Sequence, residues 1–114
     1  MFFSSIESYP LLVLTVVKYE HRIRESLEQF KAVLELADGS YLHVNEVWLD
    51  RELRKYAYYW LSPADVIICG WDNAPPHREV STYPHHVHQP DAVVNSDVRS
   101  LADVLEILQQ LICE

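Results

Sequence analysis

Between Trp71 and Pro90 the chain gathers four of its six histidines and four of its six prolines, with Asp72, Arg78 and Tyr83 among them. Imidazole is the side chain whose ordinary pKa, about 6.5, lets it give or take a proton near neutrality. Two imidazoles suffice for RNA cleavage without a metal. One removes the proton of the ribose 2′-hydroxyl and the other protonates the leaving oxygen, while a guanidinium such as Arg78 stabilises charge at phosphorus. His85, His86 and His88 rank first for this work, with His77 as their partner and Asp72 beside them. Tyr83 or Trp71 would stack an unpaired base, as single strands are commonly held.

The same residues allow a metal reading. His86 and His88, two apart in an extended segment, face the same way, and His77 or Asp72 would supply a third ligand. The spacing matches neither H-E-x-x-H nor paired C-x-x-C. The expected cofactor is therefore none, with a divalent metal as the competing reading. A structural role also competes: Asp72 and Asn73 would bond to the loop backbone and the prolines would stiffen it, with the imidazoles as neutral props. Trp71 is then a packing aromatic rather than a base platform. His21 and His43, each isolated in a strand pattern, stay outside the site.

The run Trp71-Asp72-Asn73-Ala74-Pro75-Pro76-His77-Arg78-Glu79, followed by Thr82-Tyr83-Pro84-His85-His86-Val87-His88, resembles the TumE-type toxins. That family has a stretch of the form W-D-N-A-P-H-H-P-E, then F-P-H-H-K-H, preceded by a D-G-S hairpin that Asp38-Gly39-Ser40 matches here. Pro76 stands for the first His of the early pair, Arg78 for a Pro, Tyr83 for Phe and Val87 for Lys. The resemblance runs from about Phe30 through the C-terminal helix. It implies the toxin of a bacterial or archaeal toxin–antitoxin pair, neutralised by a cognate antitoxin with a helix-turn-helix domain. It supplies no reaction.

Electrostatics weighs on the choice. Nine Lys and Arg against seventeen Asp and Glu give a net charge of −8 with neutral His, so the molecule as a whole repels a phosphate backbone. From Trp71 to Pro90 only Arg78 opposes Asp72 and Glu79, and the segment becomes basic only when its imidazoles are protonated. RNA binding through this loop would strengthen toward pH 6 and weaken with salt. An acidic, non-catalytic module that recognises a protein partner is the alternative function, as is an inactive copy of the toxin; a second copy of the chain is a further partner to consider.

Those residues need elements to position them. At 114 residues and 49% hydrophobic, the chain is expected to be a single domain over 1–114, with a His/Pro-rich functional loop at 71–90. Cys69 and Cys113 form no disulfide framework or zinc knuckle and read as reduced thiols. The longest apolar stretch, Leu11 to Val17, is too short to span a bilayer, and the first seventeen residues lack a basic n-region. A cytoplasmic protein without a membrane partner is expected.

The expected fold class is α+β, an antiparallel meander of four to five strands with an N-terminal helical segment and a C-terminal amphipathic helix. Phe30, Ala32, Leu34 and Leu36 alternate toward one face, and Leu42, Val44 and Trp48 answer them after Asp38-Gly39, a pair typical of type I′ hairpin turns. Lys55 to Leu61 and Val66 to Trp71 form a second hairpin around Ser62-Pro63-Ala64-Asp65. Tyr56, Tyr58 and Trp60 share a face, read as packing on a helix or partner rather than as a base platform. Val16 to Arg24 reads as a first strand and Phe3 to Val13 as a short helix troubled by Pro10. Leu101, Val104, Leu105, Leu108, Leu111 and Ile112 recur at three and four residues after Ser100, which marks a helix able to cover one sheet face. The other face would meet the N-terminal segment or a partner.

Overall fold

The computed structural model describes residues 2–74, 82, 84–89 and 92–113, with only the backbone placed for residues 2, 92, 94 and 95. A short helix α1, Phe2–Glu7, leads into β1, Val13–Arg24, followed by β2, Leu27–Leu36, β3, Tyr41–Leu49, β4, Glu52–Leu61, and β5, Ile67–Asp72. Then come β6, His86–Gln89, β7, Ala92–Asn95, and α2, Leu101–Cys113. Each strand pairs antiparallel with the next, in the order β1-β2-β3-β4-β5-β6-β7. The α+β meander with a helix at each end is as expected, but among the described residues it has seven strands rather than four to five. The additional strands come from the segment read as a loop and its sequel. With four residues each, β6 and β7 are too short to display a hydrophobic period, and β6 spends its alternate positions on His86 and His88.

Alternation decides which face is covered. Phe30, Ala32, Leu34, Leu36, Leu42, Val44, Tyr56 and Tyr58 are buried in one cluster with Leu101, Val104, Leu105 and Leu108 of α2. Asp103 secures the start of α2 by accepting the backbone N–H of Arg99 at 2.8 Å. Helix α1 ends at Glu7 rather than reaching Val13. Tyr9 instead accepts turn hydrogen bonds from Leu12 and Val13, which carry the chain past Pro10 into β1. Ile6 and Tyr9 pack on the same core as α2, so the N-terminal segment does not cover the second sheet face.

The turns also differ from expectation. Asp38-Gly39 is not a two-residue type I′ turn: only Gly39 has positive φ, +87°, while Gly39 N–H bonds to Leu36 O and Leu36 N–H to Ser40 O. The loop therefore has three residues, with Gly39 in the left-handed position that closes it. Positive φ at two central residues occurs instead at Asp50 (51°) and Arg51 (67°), between the paired Leu49 and Glu52. The tight connection between β3 and β4 is thus built without glycine, and short-range signals gave no sign of it.

Candidate functional site

Strand register turns separated residues into neighbours. On the face away from the helices, Glu20, Lys31, Asn45, Ala57, Asp72 and His86 are successive partners across six strands. The adjacent row runs Lys18, Val33, His43, Tyr59, Gly70 and His88. Asp72 therefore faces His86 directly and His88 diagonally.

Their polar atoms converge. His86 Nε2 lies 2.6 Å from Asp72 Oδ1, His88 Nε2 lies 3.0 Å from Asp72 Oδ2, and the two Nε2 atoms are 3.0 Å apart. Among the described residues this is a group of three whose ligand atoms all fall within 4.8 Å of one another. Asp72 and His86 are buried, whereas the His88 side chain is 29% exposed, which gives the cluster one side reachable from outside.

Local structure holds these groups in place. The backbone N–H of Ala74 bonds to Asp72 Oδ1 at 3.1 Å and the Tyr59 hydroxyl donates to Asp72 Oδ2 at 2.9 Å. Asn73 ends β5 by accepting the Tyr56 N–H and donating to Arg54 O, so its amide pins the chain after Asp72 to β4. Before β6, a turn closes with His85 N–H on Thr82 O at 2.8 Å, and Pro84 O faces His86 Nδ1 at 2.8 Å. A carbonyl only accepts, so Nδ1 carries the proton and Nε2 is the nitrogen presented to Asp72.

Tyr59 belongs to this site, although sequence reasoning left it out. Its ring lies over Gly70, where an added Cβ would fall 2.3 Å from Tyr59 Cε1, and stacks near His88 with centroids 6.2 Å apart. A glycine inside a strand opposite an aromatic residue is the signal that would have found it. Burial, with the hydrogen bond and charge of Asp72, pushes the Tyr59 phenol up to about 12. It is a hydrogen-bond donor at neutral pH.

The structure divides the expected site. Asp72, His86 and His88 come together, but His85 points to the helix side, so the three-histidine grouping does not hold. There its ring stacks on Tyr56 and its Nδ1 lies 2.7 Å from the Tyr56 hydroxyl. Because that hydroxyl donates to Val98 O at 2.9 Å, His85 Nδ1–H is the donor to Tyr56. Burial, then the charges of Arg99 and His86, lower the His85 pKa and hold the ring neutral. Trp71 is 6% exposed in the core, the packing position that competed with its use as a base platform. His77, Arg78 and Tyr83 lie outside the described residues.

Beside the cluster the open face carries a groove of about 370 Å³, lined by Asn45, Lys55, Ala57, Tyr59, Asp72 and Asn73. A second hollow, sharing Asn45, Ala57 and Tyr59, continues it past His43 to Lys18, Glu20 and Lys31. Among the described residues, this track of two hollows is lined by three lysines against Glu20 and Asp72. Its local balance is opposite in sign to that of the whole molecule.

Against known families, the family model described as Toxin TumE matches residues 4–112, nearly the whole chain. The chain belongs to the TumE toxin family. Neither the curated proteins nor the solved structures gave a match. TumE membership makes this chain the toxin component of a toxin–antitoxin system and implies a cognate antitoxin. Among the described residues no helix is long and apolar enough to cross a membrane.

Proposed function

We propose that this TumE toxin acts on single-stranded RNA laid along the open sheet face, with its reactive centre at Asp72, His86 and His88. The observation that carries the reading is the convergence of three proton- or cation-handling groups at one end of a groove that holds Lys18, Lys31 and Lys55. Lysines along the track meet phosphates, and the half-buried Tyr59 ring offers a base its face beside the cluster.

The reaction is transesterification at a phosphodiester. The 2′-oxygen attacks phosphorus as the centre takes its proton, the P–O5′ bond breaks, and a proton is delivered to the departing 5′-oxygen. Products are a 2′,3′-cyclic phosphate and a 5′-hydroxyl, with no net consumption of water. Asp72, anchored by Tyr59 and Ala74, holds both imidazoles in place at this centre. The antitoxin we assign carries a helix-turn-helix domain, by the family resemblance, and the site of action is the cytoplasm.

Induced expression without an antitoxin tests this, comparing wild type with His88→Ala and Asp72→Asn at matched soluble levels. Growth arrest with RNA fragments ending in cyclic phosphate, seen only for wild type, is the expected result. Arrest with intact RNA would remove RNA as the target, and equal arrest by both variants would remove the cluster.

A further inference from the structure

We propose that Asp72, His86 and His88 form a binding site for one first-row divalent transition-metal ion, of the zinc type, with a coordination position open toward the groove. This deepens the preceding reading, since it concerns the same cluster, but ion binding is measurable without RNA. The argument is the convergence of three ligand atoms on one point. His86 gives its Nδ1 proton to Pro84 O, so in the neutral ring Nε2 carries the lone pair that a metal ion takes. That lone pair stands 2.6 Å from a carboxylate oxygen and 3.0 Å from the second imidazole Nε2.

The ligand atoms of Asp72, His86 and His88 all lie within 4.8 Å of one another. One cation between the three atoms meets every contact at once. Tetrahedral ligands bound at about 2.0–2.1 Å to a shared ion sit roughly 3.3 Å from one another, so the three atoms, 2.6–3.0 Å apart, need only spread slightly to take one.

The surroundings are those of a metal site as well. Metal-bound imidazoles commonly give their other N–H to a carbonyl, as His86 does to Pro84, and bound carboxylates are themselves hydrogen-bonded, as Asp72 is by Tyr59 and Ala74. Two nitrogen ligands and one oxygen favour zinc, cobalt or nickel over magnesium or calcium, which prefer oxygen throughout. Exposure on the His88 side leaves room for water or a substrate oxygen as a further ligand.

The test uses the tag-free full chain, stripped with a chelator and titrated with Zn²⁺ by calorimetry and with Co²⁺ by visible absorption. One ion per chain is expected, with tetrahedral or five-coordinate Co²⁺ bands and no comparable Mg²⁺ uptake. His88→Ala should weaken Zn²⁺ at least tenfold and Tyr59→Phe by about tenfold, in the range seen for outer partners of metal ligands. His85→Ala and His43→Ala should bind as wild type does. Circular dichroism melts confirm that each variant is folded, and Asp72→Asn, which keeps the side-chain shape, repeats the test should His88→Ala unfold. A stripped wild-type chain that takes up neither ion overturns the proposal, as does unchanged affinity in folded His88→Ala or Asp72→Asn. Cleavage of RNA by a chain that binds no ion would leave the RNA reading standing and this one fallen. Zinc uptake without any action on RNA would do the reverse.

Discussion

The two faces of the sheet carry similar polar residues and put them to different uses. On the helix side, Glu46 is 4% exposed and is satisfied by the Tyr58 hydroxyl at 2.5 Å and Trp48 Nε1 at 3.2 Å. Burial beside Glu46 drives the Tyr58 phenol far above its ordinary pKa, so it only donates. Tyr56, pushed up to about 12 chiefly by burial, likewise joins His85 to Val98 O. Each donor there has an acceptor, which is the condition for a buried polar group to stabilise a fold. Across the sheet, Asp72, His86 and His88 bring three proton- or cation-handling side chains together at the edge of a groove. Convergence of that kind beside a groove is the arrangement that the proposed ion would use.

The sharpest test exchanges the faces. His88→Ala should lower RNA cleavage by roughly 10²–10⁴-fold, the usual yield of a positioned proton-transfer group, with melting nearly unchanged. Leu105→Ala, on the fully buried stripe of α2, should do the opposite, with a loss of about 2–5 kcal/mol in urea unfolding and cleavage retained by the folded fraction. Activity lost in step with stability at both positions would erase the distinction between the faces.

Smaller effects sharpen it. Gly70→Ala drives a methyl into the Tyr59 ring and should cost about 1–3 kcal/mol, relieved when Tyr59→Ala is added, as a double-mutant cycle on thermal or urea unfolding would show. Lys18→Glu with Lys31→Glu should weaken binding of a single-stranded RNA severalfold and reduce its logarithmic salt slope by roughly one per lost phosphate contact. An unchanged slope would take the RNA off this track.

The smallest effect lies on the helix side. The pKa of His85 is lowered from 6.5 in the folded chain, so as pH falls below 6.5 the unfolded chain takes up a proton before the folded one does. Stability present above pH 6.5 is therefore lost as pH drops through the lower folded value. His85→Asn should flatten that part of the stability profile measured by urea unfolding from pH 7 to 5. A profile still equally steep in the variant would assign the slope to other groups.

Much of the scaffold was legible because its signals are short-range. Alternation from Phe30 to Leu36 and from Tyr41 to Trp48 predicted both faces of β2 and β3, and the three-and-four spacing after Ser100 predicted α2. The buried Glu46 breaks this pattern, since a carboxylate at a core position is intelligible only once Tyr58 and Trp48 are seen beside it. Strands β6 and β7 escaped notice because four residues give too few alternations, and prolines and histidines around them resemble a loop. The site was half legible: Asp72, His86 and His88 were singled out by chemistry, His85 was grouped with them by adjacency, and Tyr59 was hidden among aromatics that mostly face the core.

What the sequence determined alone is therefore local: the strand faces, the C-terminal helix, the toxin motif and the residue types able to handle protons or ions. Tertiary structure decided which of those residues meet. Asp72 and His86 are fourteen positions apart, and only the pairing of β5 with β6 makes them neighbours, while the two-residue period of a strand sends His86 and His88 to the open face and His85 to the other. Adjacency in a chain gives proximity, but in a sheet it guarantees opposite directions, so a cluster of histidines in sequence becomes a site only through the strand laid beside it.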